Sequence, residues 1–572
     1  MTQAASQTPI SSHLAIGARE HRKGKDLRGY LLLLVLGCLL YLPGLGSYQP
    51  IDPTDSFFIE AGREAVETNN YLVPLMNYKP WLDKPILYFW AVAGSIKLLG
   101  DSAFAGRIFG ALCGIALGIV TFTYSKCFIA RREALLAYVI LISSPLLSVV
   151  AHASLTDTPL TLLMTTAALA LLHYDRSDSM RSWWVGFSAL SLAFLCKGPI
   201  AIILVVAVMW IYWLIVLPNK VEILFKIFNM WPTKAIMFMT AVNLPWYLAA
   251  TIGTNGAFFR DFFITQNFGR MVGTVNHQQP FWFYIPVFFG GFMPWSLMMV
   301  AQAYRLPRIW KTRETRTHSH NFIMYCLVWA AFELLLFSAI KTKLPTYILP
   351  AAPPLAILAA ICASTVMRNQ HKPLARTVVI LPLVMIATIC GAIHWAATHD
   401  SYIAVMLQAS HQTLIMGGAV AVPAIFLALV RKYSACFWTL AASISILCGG
   451  LVPQGYRAMY EHRQKPFDAL LKEIAADGGR LATVVREEPS TSYRLHKRVP
   501  CIHSHEDAVS FIDSLGKDPG SIYILVPREV LDSAHSWFAP EYRLQQRSRA
   551  GRWVLYTVAK NQMDQSLPAT AR

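Results

Sequence analysis

Tyr71-Leu72-Val73-Pro74 and Trp81-Leu82-Asp83-Lys84-Pro85-Ile86-Leu87-Tyr88-Phe89-Trp90 make up a polar, aromatic fragment after the first long apolar run. An ionisable group at a lipid–water boundary is kept for a purpose more often than one in a soluble loop. Lys84 precedes a proline and has Trp81, Tyr88 and Trp90 near it in sequence. A second cation, Arg270, follows Phe262-Phe263-Ile264-Thr265-Gln266-Asn267-Phe268-Gly269, a stretch too polar and aromatic for a plain connector. Two cations at one interface make a natural clamp for a lipid phosphate, Arg through a planar fork and Lys as a point charge. Snorkelling to the interface is their ordinary alternative. The run Ser338–Pro350 is similarly dense, with Lys341, Lys343 and Tyr347. Tyr347 is either an aromatic of the interfacial belt or a hydrogen-bond donor to the same phosphate. Lys197, in Cys196-Lys197-Gly198-Pro199, reads as a snorkelling lysine.

Carboxylates stand close by. Asp52 and Asp55 precede the segment that carries Glu60, Arg63 and Glu64. The last three read as the wet side of an interfacial helix, since positions 60 and 64 share a helical face. Asp55 is either an N-cap or a carboxylate poised at the membrane surface. Asp157, in Leu155-Thr156-Asp157-Thr158-Pro159, has the form of a helix start. Capping and function are compatible there, because a helix N-terminus favours the ionised carboxylate. In the tail, Cys501, His503 and His505 alternate as on one strand face, which gives too few fixed ligands for a structural zinc site.

What must position these groups is a membrane domain. The 572 residues are 55% hydrophobic and 14% charged, and uncharged apolar stretches recur near the ~20 residues that cross a bilayer. The formal charge of +18 falls in short basic clusters between those stretches, which reports topology rather than nucleic-acid binding. Attraction to anionic membrane lipid is the remaining use of that charge. Nine of the ten cysteines lie in or beside apolar segments and only Cys501 is in the tail, so the tail holds no internal disulfide.

Thirteen apolar candidates run from 30–46 to 435–453, among them 133–150, 159–174, 281–302, 347–366, 377–397 and 412–430. The stretch 86–99 is short for a span and suits an interfacial segment. Excluding it puts every basic cluster on one side, from Arg19, Arg22, Lys23, Lys25 and Arg28 to Arg431 and Lys432. The expected organisation is a polytopic α-helical membrane protein of about thirteen spans. Residues 1–28 are a cytoplasmic segment. Residues 29–454 form the transmembrane domain, with outer loops 47–104 and 252–280. Residues 455–572 form a small α/β domain outside, with strands at Leu481–Val485, Ser521–Val526 and Trp553–Val558 and helices at Pro466–Asp477 and Ala508–Leu515. The polar pieces from distant stretches then meet at one membrane surface.

Together these fragments resemble the phospholipid-carrier-dependent glycosyltransferases of the protein-mannosyltransferase-like (GT-C) superfamily, and within it the lipid A aminoarabinose transferases. The matching pieces are Tyr71–Pro74 with Lys84–Trp90, Leu155–Pro159, Lys197-Gly198, Leu244-Pro245-Trp246-Tyr247, Arg270 with Pro280–Tyr284 and Pro294-Trp295, and Ser338–Pro350. They cover about 30–350 in the family's order. The resemblance implies a polyprenyl-phosphate sugar donor and a lipid A or related glycolipid acceptor at the periplasmic face of a bacterial inner membrane. It implies no cofactor and leaves a divalent-metal requirement open. It maps one catalytic aspartate onto Asp157. Another falls at Thr54 or, with a one-residue shift, at Asp55. Lys84, Arg270 and Tyr347 match the family's donor-phosphate ligands.

Three rivals stand beside this reading. One is a different sugar or acceptor on the same scaffold. Another is a lipid transporter or flippase, which predicts ionisable residues near the bilayer midplane. The third is a membrane-anchored sensor that binds its ligand in the tail.

Overall fold

The computed structural model describes residues 23–269, 278–300, 318–368, 422–515, 521–538 and 542–560, with isolated positions 395, 415 and 419. Helices dominate. Among the described residues, five helical stretches are long and apolar enough to cross a membrane: Ala103–Ser125, Pro232–Gly253, Ser319–Ala339, Pro345–Arg368 and Tyr433–Ala476. A bent pair, Arg131–Ile142 with Pro145–Ala151, makes a sixth if taken as one span. The expected candidate at 377–397, apart from position 395, and the first part of 412–430, apart from 415 and 419, lie outside the described residues.

Two expected spans are broken. The run 133–150 bends by 58° between Ile142 and Pro145, because Pro145 has no N–H to continue the helical ladder. The run 281–302 divides into a 3-10 turn Phe281–Phe283, a helix Tyr284–Gly291 and a helix Trp295–Val300. The helix ends on Gly290 and Gly291 and the break after it carries Pro294, glycine and proline being the residues that weaken a helix most. The doubtful stretch 86–99 is a helix of 13 residues, Leu87–Leu99, about 20 Å long at 1.5 Å per residue and short of a ~30 Å hydrocarbon core.

Ala103–Ser125 is the central helix. It packs against Lys23–Tyr41, Arg131–Ile142, Asp157–Ser177 and Leu87–Leu99. The first-loop helix Thr54–Thr68 lies against Leu87–Leu99 on one side and against the tail helix Pro489–Leu495 on the other. Gly62 permits the first contact, since a Cβ there would sit 2.5 Å from Val92 Cγ1. Being covered twice, this helix is not a wet interfacial one: Glu60, Arg63 and Glu64 are all buried. Glu60 and Arg63 satisfy each other by a two-pronged ion pair, with both bonds at 2.8 Å. This corrects the sequence expectation, and the physical reason is the tail domain pressed on top.

The tail begins without a linker. Helix Tyr433–Met459 runs through a π-turn, Tyr460–Gln464, directly into Lys465–Ala476. Beyond it is a five-stranded sheet in the order Cys501–Ile502, Arg480–Val484, Ile522–Pro527, Trp553–Lys560, Tyr542–Ala550. The first three strands are parallel and the last two antiparallel. Ile522, Ile524 and Val526 face one core with Phe511 and Phe538. Tyr523 and Leu525 face the other with Phe467 and Leu471. A central strand covered on both faces reads as a continuous apolar run, as this one does. The expected strands and helices of the tail are present, but the face shared by Cys501, His503 and His505 is not. The strand ends at Ile502, Ser504 caps helix His505–Asp513, and His505 Nδ1 bonds the Trp537 carbonyl oxygen.

The tail is fastened to the first loop by side chains. The Asp52 carboxylate accepts from the Ser490 N–H at 3.1 Å and from the Ser490 hydroxyl and the Gln464 amide. Asn77 brackets Val499, taking its N–H at 2.8 Å and donating to its carbonyl at 2.6 Å.

Candidate active site

A cavity of about 390 Å³ opens where the first loop, the segment 259–268 and the run 340–350 meet the helix Ile200–Val216. Its polar wall carries Asp83, Lys84, Lys197, Gln266 and Tyr347. Its apolar wall includes Ile203, Leu204, Phe262, Phe263 and Phe337. Ile203 is half exposed and shares an outward stripe with Trp210 and Leu214, so the apolar wall reaches the lipid-facing side of its helix.

Each polar group is held by a local feature. Lys84 follows Asp83 in an irregular stretch before Leu87–Leu99, and its ammonium lies 3.4 Å from the Asp83 carbonyl oxygen. Asp83 Oδ1 accepts from Gln266 Nε2 at 2.9 Å, which ties the first loop to the π-helical segment Phe259–Phe268. Lys197 ends helix Met180–Lys197. The next residue, Gly198, has φ +85° and leaves no room for a side chain, because a Cβ would lie 2.5 Å from Phe262 Cζ. A glycine is therefore required where the chain turns away and Phe262 closes the cavity. Tyr347 sits on the 3-10 turn Pro345–Ala351. That turn is steadied by a bond from Tyr284 Oη to the Leu344 carbonyl at 3.1 Å and by Lys343, whose ammonium binds the Gln279 and Ile340 carbonyls.

Asp157 is the first residue of helix Asp157–Ser177 but caps nothing with its side chain. Instead its Oδ1 lies 2.7 Å from Lys197 Nζ, in a largely buried ion pair. That ammonium is also 4.9 Å from the centre of the Tyr347 ring. Asp55, the other expected carboxylate, does not line the cavity. It is buried against Arg107, whose Nε is 3.1 Å from Oδ2, and its Oδ1 takes the Ser154 N–H at 2.8 Å. The remaining donors of Arg107 go to the carbonyls of Leu45, Tyr48 and Gln49. The capping expectation fails for both aspartates. Arg270 lies outside the described residues.

The structure thus brings Lys84 and Tyr347 together, adds Lys197 with Asp157 behind it, and places Asp55 in a separate buried ion pair. Lys197 was legible as a cation interrupting two apolar runs. Arg107 was legible as an arginine within an apolar helix, which lipid does not tolerate unpaired. Asp83 and Gln266 carried no signal of their own. No group of three metal-ligating side chains is found among the described residues.

The chain is similar to proteins already known. Residues 83–248 match the family described as dolichyl-phosphate-mannose-protein mannosyltransferase. The undecaprenyl phosphate-alpha-4-amino-4-deoxy-L-arabinose arabinosyl transferase of Edwardsiella ictaluri is 28% identical over 449 residues, 75% of this chain and 78% of that one. An uncharacterized protein of Aquifex aeolicus is 27% identical over 335 residues, 58% of this chain but only 64% of its own length, just under two thirds. The crystal structure of ArnT from Cupriavidus metallidurans bound to undecaprenyl phosphate superimposes with a TM-score of 0.74 at 18% identity, covering 94% of this chain and 98% of that one. The chain has the fold of that structure and is similar in sequence to arabinosyl transferases of this kind. Its small C-terminal sheet domain and its multi-pass helices belong to that architecture.

Proposed function

We propose that this ArnT-like enzyme moves 4-amino-4-deoxy-L-arabinose from undecaprenyl phosphate to a phosphate of lipid A at the periplasmic face of the inner membrane. The observation that carries this reading is the cavity with two lysines and a phenol on one wall and an apolar wall reaching the lipid-facing side of Ile200–Val216. An isoprenoid phosphate has the same division. The relatives named for aminoarabinose transfer support the choice of sugar.

Chemically, the sugar–phosphate bond breaks with its electron pair going to the phosphate. Lys84 and Lys197 offset the growing negative charge, and the Tyr347 hydroxyl donates a hydrogen bond to it. The family resemblance implies that Arg270, outside the described residues, serves the same phosphate. Asp157 orients Lys197, while Asp55 with Arg107 holds the turn from which Asp157 starts. An oxygen of the acceptor phosphate attacks the sugar carbon from the opposite face. It is already ionised, so it needs no proton removed and no dedicated base. The product is inverted at that carbon. N-terminus inside and tail outside is the orientation this requires.

The test is reconstitution of the protein in liposomes with undecaprenyl-phosphate aminoarabinose and lipid A, followed by mass spectrometry of the lipid A. The expected result is one added aminopentose with inverted configuration, abolished in Lys84→Ala. Retained configuration would refute direct displacement, and a different transferred sugar would refute the substrate assignment.

A further inference from the structure

A cavity built to grip a phosphate has little use for a carboxylate in its wall, because like charges at contact range disfavour one another. Yet Asp83 stands there, next in sequence to Lys84. Among the described lining residues it is the one carboxylate. It is not the counter-ion of Lys197, whose ammonium is matched by Asp157 at 2.7 Å. Asp83 binds Gln266 instead, and that bond fixes the amide: Nε2 faces Asp83 Oδ1 at 2.9 Å. The other end of the amide, Oε1, is buried and has no hydrogen-bond partner among the described residues. A buried acceptor is ordinarily satisfied. Gln266 lines the cavity beside Asp83, so its unpartnered oxygen belongs to the same part of the wall.

We infer that Asp83 and Gln266 form the subsite for a cationic amino group on the donor sugar. The inference rests on the donor reading above. An ammonium carries three donors and no acceptor. Asp83 offers the opposite charge, and the Gln266 Oε1 offers a further acceptor on a side chain already bonded to it. Lys84 and Asp83, adjacent and of opposite sign, then match a donor that is itself a zwitterion, with phosphate at one end of the sugar and amine at the other. The pair selects an amino sugar over its hydroxyl analogue. A neutral hydroxyl would gain a hydrogen bond there but no charge partner, and charge-assisted bonds are the stronger kind.

The experiment compares two synthetic donors, undecaprenyl-phosphate 4-amino-4-deoxy-L-arabinose and undecaprenyl-phosphate L-arabinose, each with lipid A and the full-length protein in liposomes. The readout is the ratio of their kcat/KM values. Wild type is expected to favour the amino donor, and Asp83→Asn to lower that ratio at least tenfold. Gln266→Leu is expected to lower it several-fold in the same direction. Binding of sugar-free undecaprenyl phosphate, measured in parallel, is expected to stay within twofold of wild type in both variants, which shows the fold and the phosphate grip intact. If Asp83→Asn slows both donors equally, or weakens binding of sugar-free undecaprenyl phosphate, Asp83 is a latch or part of the clamp and the inference falls. Wild type that transfers from neither donor overturns the donor reading itself, which is a separate failure.

Discussion

Asp55 Oδ1 accepts the Ser154 N–H at 2.8 Å, so the first loop holds the turn before Asp157 across 99 positions of sequence. The carboxylate doing this is committed twice, since Arg107 occupies its other side, fully buried. A carboxylate so engaged is a poor base and a good clamp. Asp55→Asn would leave the Arg107 charge buried without its partner, which costs about 3–5 kcal/mol. The expected outcome is a clear fall in the thermal unfolding temperature in detergent, with activity falling alongside it. The double variant Asp55→Leu/Arg107→Met should recover much of the stability, as apolar replacements of buried pairs often do. An Asp55→Asn protein that unfolds like wild type yet is inactive would place Asp55 in the chemistry instead.

The pairing of Asp157 with Lys197 makes a different forecast. If Asp157 acts by aiming the lysine, the two substitutions must not add. Lys197→Met should reduce kcat by roughly 10²–10³, the range for losing one preorganised donor to a developing anion. Asp157→Asn should cost less. Asp157→Asn/Lys197→Met should be no slower than Lys197→Met alone, because coupled residues share one effect. Steady-state transfer rates of the three variants check this, and full additivity would mean that Asp157 touches the acceptor independently.

How much of this was legible depends on what each residue answers to. Lys84, Tyr347 and Asp157 stand where apolar runs end, and that placement, a property of sequence alone, already marked them. The tail's central strand, Ile522–Pro527, announced itself by its apolar run. By contrast, the burial of Glu60, Arg63 and Glu64 was illegible. Their helical spacing is equally that of a solvated face, and only the docking of Pro489–Leu495, more than 400 positions later, takes the water away. Asp83 was hidden for the same reason, since its partner Gln266 lies 183 positions on. Breaks in the runs 133–150 and 281–302 were signalled by Pro145 and Pro294, but hydropathy outweighed them.

Burial of the first loop has a consequence for pH. Glu64 is pushed up to about 8, first by burial and then by the Glu60 carboxylate beside it. Glu488, where the tail meets this loop, is pushed up to about 7 by burial and then by the Asp52 charge, against the opposing pull of Arg486 and Arg552. In the unfolded chain both titrate near the ordinary glutamate value of about 4.3. A carboxyl raised in the folded state holds its proton there more tightly, so its stabilising contribution is complete below about pH 4.3 and is lost as pH rises through 7 to 8. The unfolding temperature should therefore decline between pH 5 and pH 8.5. Glu64→Gln, uncharged throughout, should flatten the upper part of that decline. A variant whose pH profile matches wild type would show that Glu64 does not carry the effect.

The last expectation concerns the joint between membrane domain and tail. Asn77 has φ +53°, a conformation asparagine tolerates better than most residues. There its amide serves both backbone groups of Val499 and takes a third bond from the Ser492 hydroxyl at 2.9 Å. All of these groups are buried or nearly so. Asn77→Ala would strand the Val499 N–H and carbonyl at about 1–3 kcal/mol for each buried group left unpaired. Asn77→Asp removes only the donor and places a negative charge against a carbonyl. Both should loosen the tail from the first loop while leaving the tail's own sheet intact. Hydrogen exchange separates the two effects. Protection should drop across Pro489–Val499 and the hairpin Leu75–Pro80 but hold in Ile522–Pro527, which is paired on both edges within the sheet. If exchange instead rises uniformly through the tail, Asn77 supports the tail's folding rather than its docking.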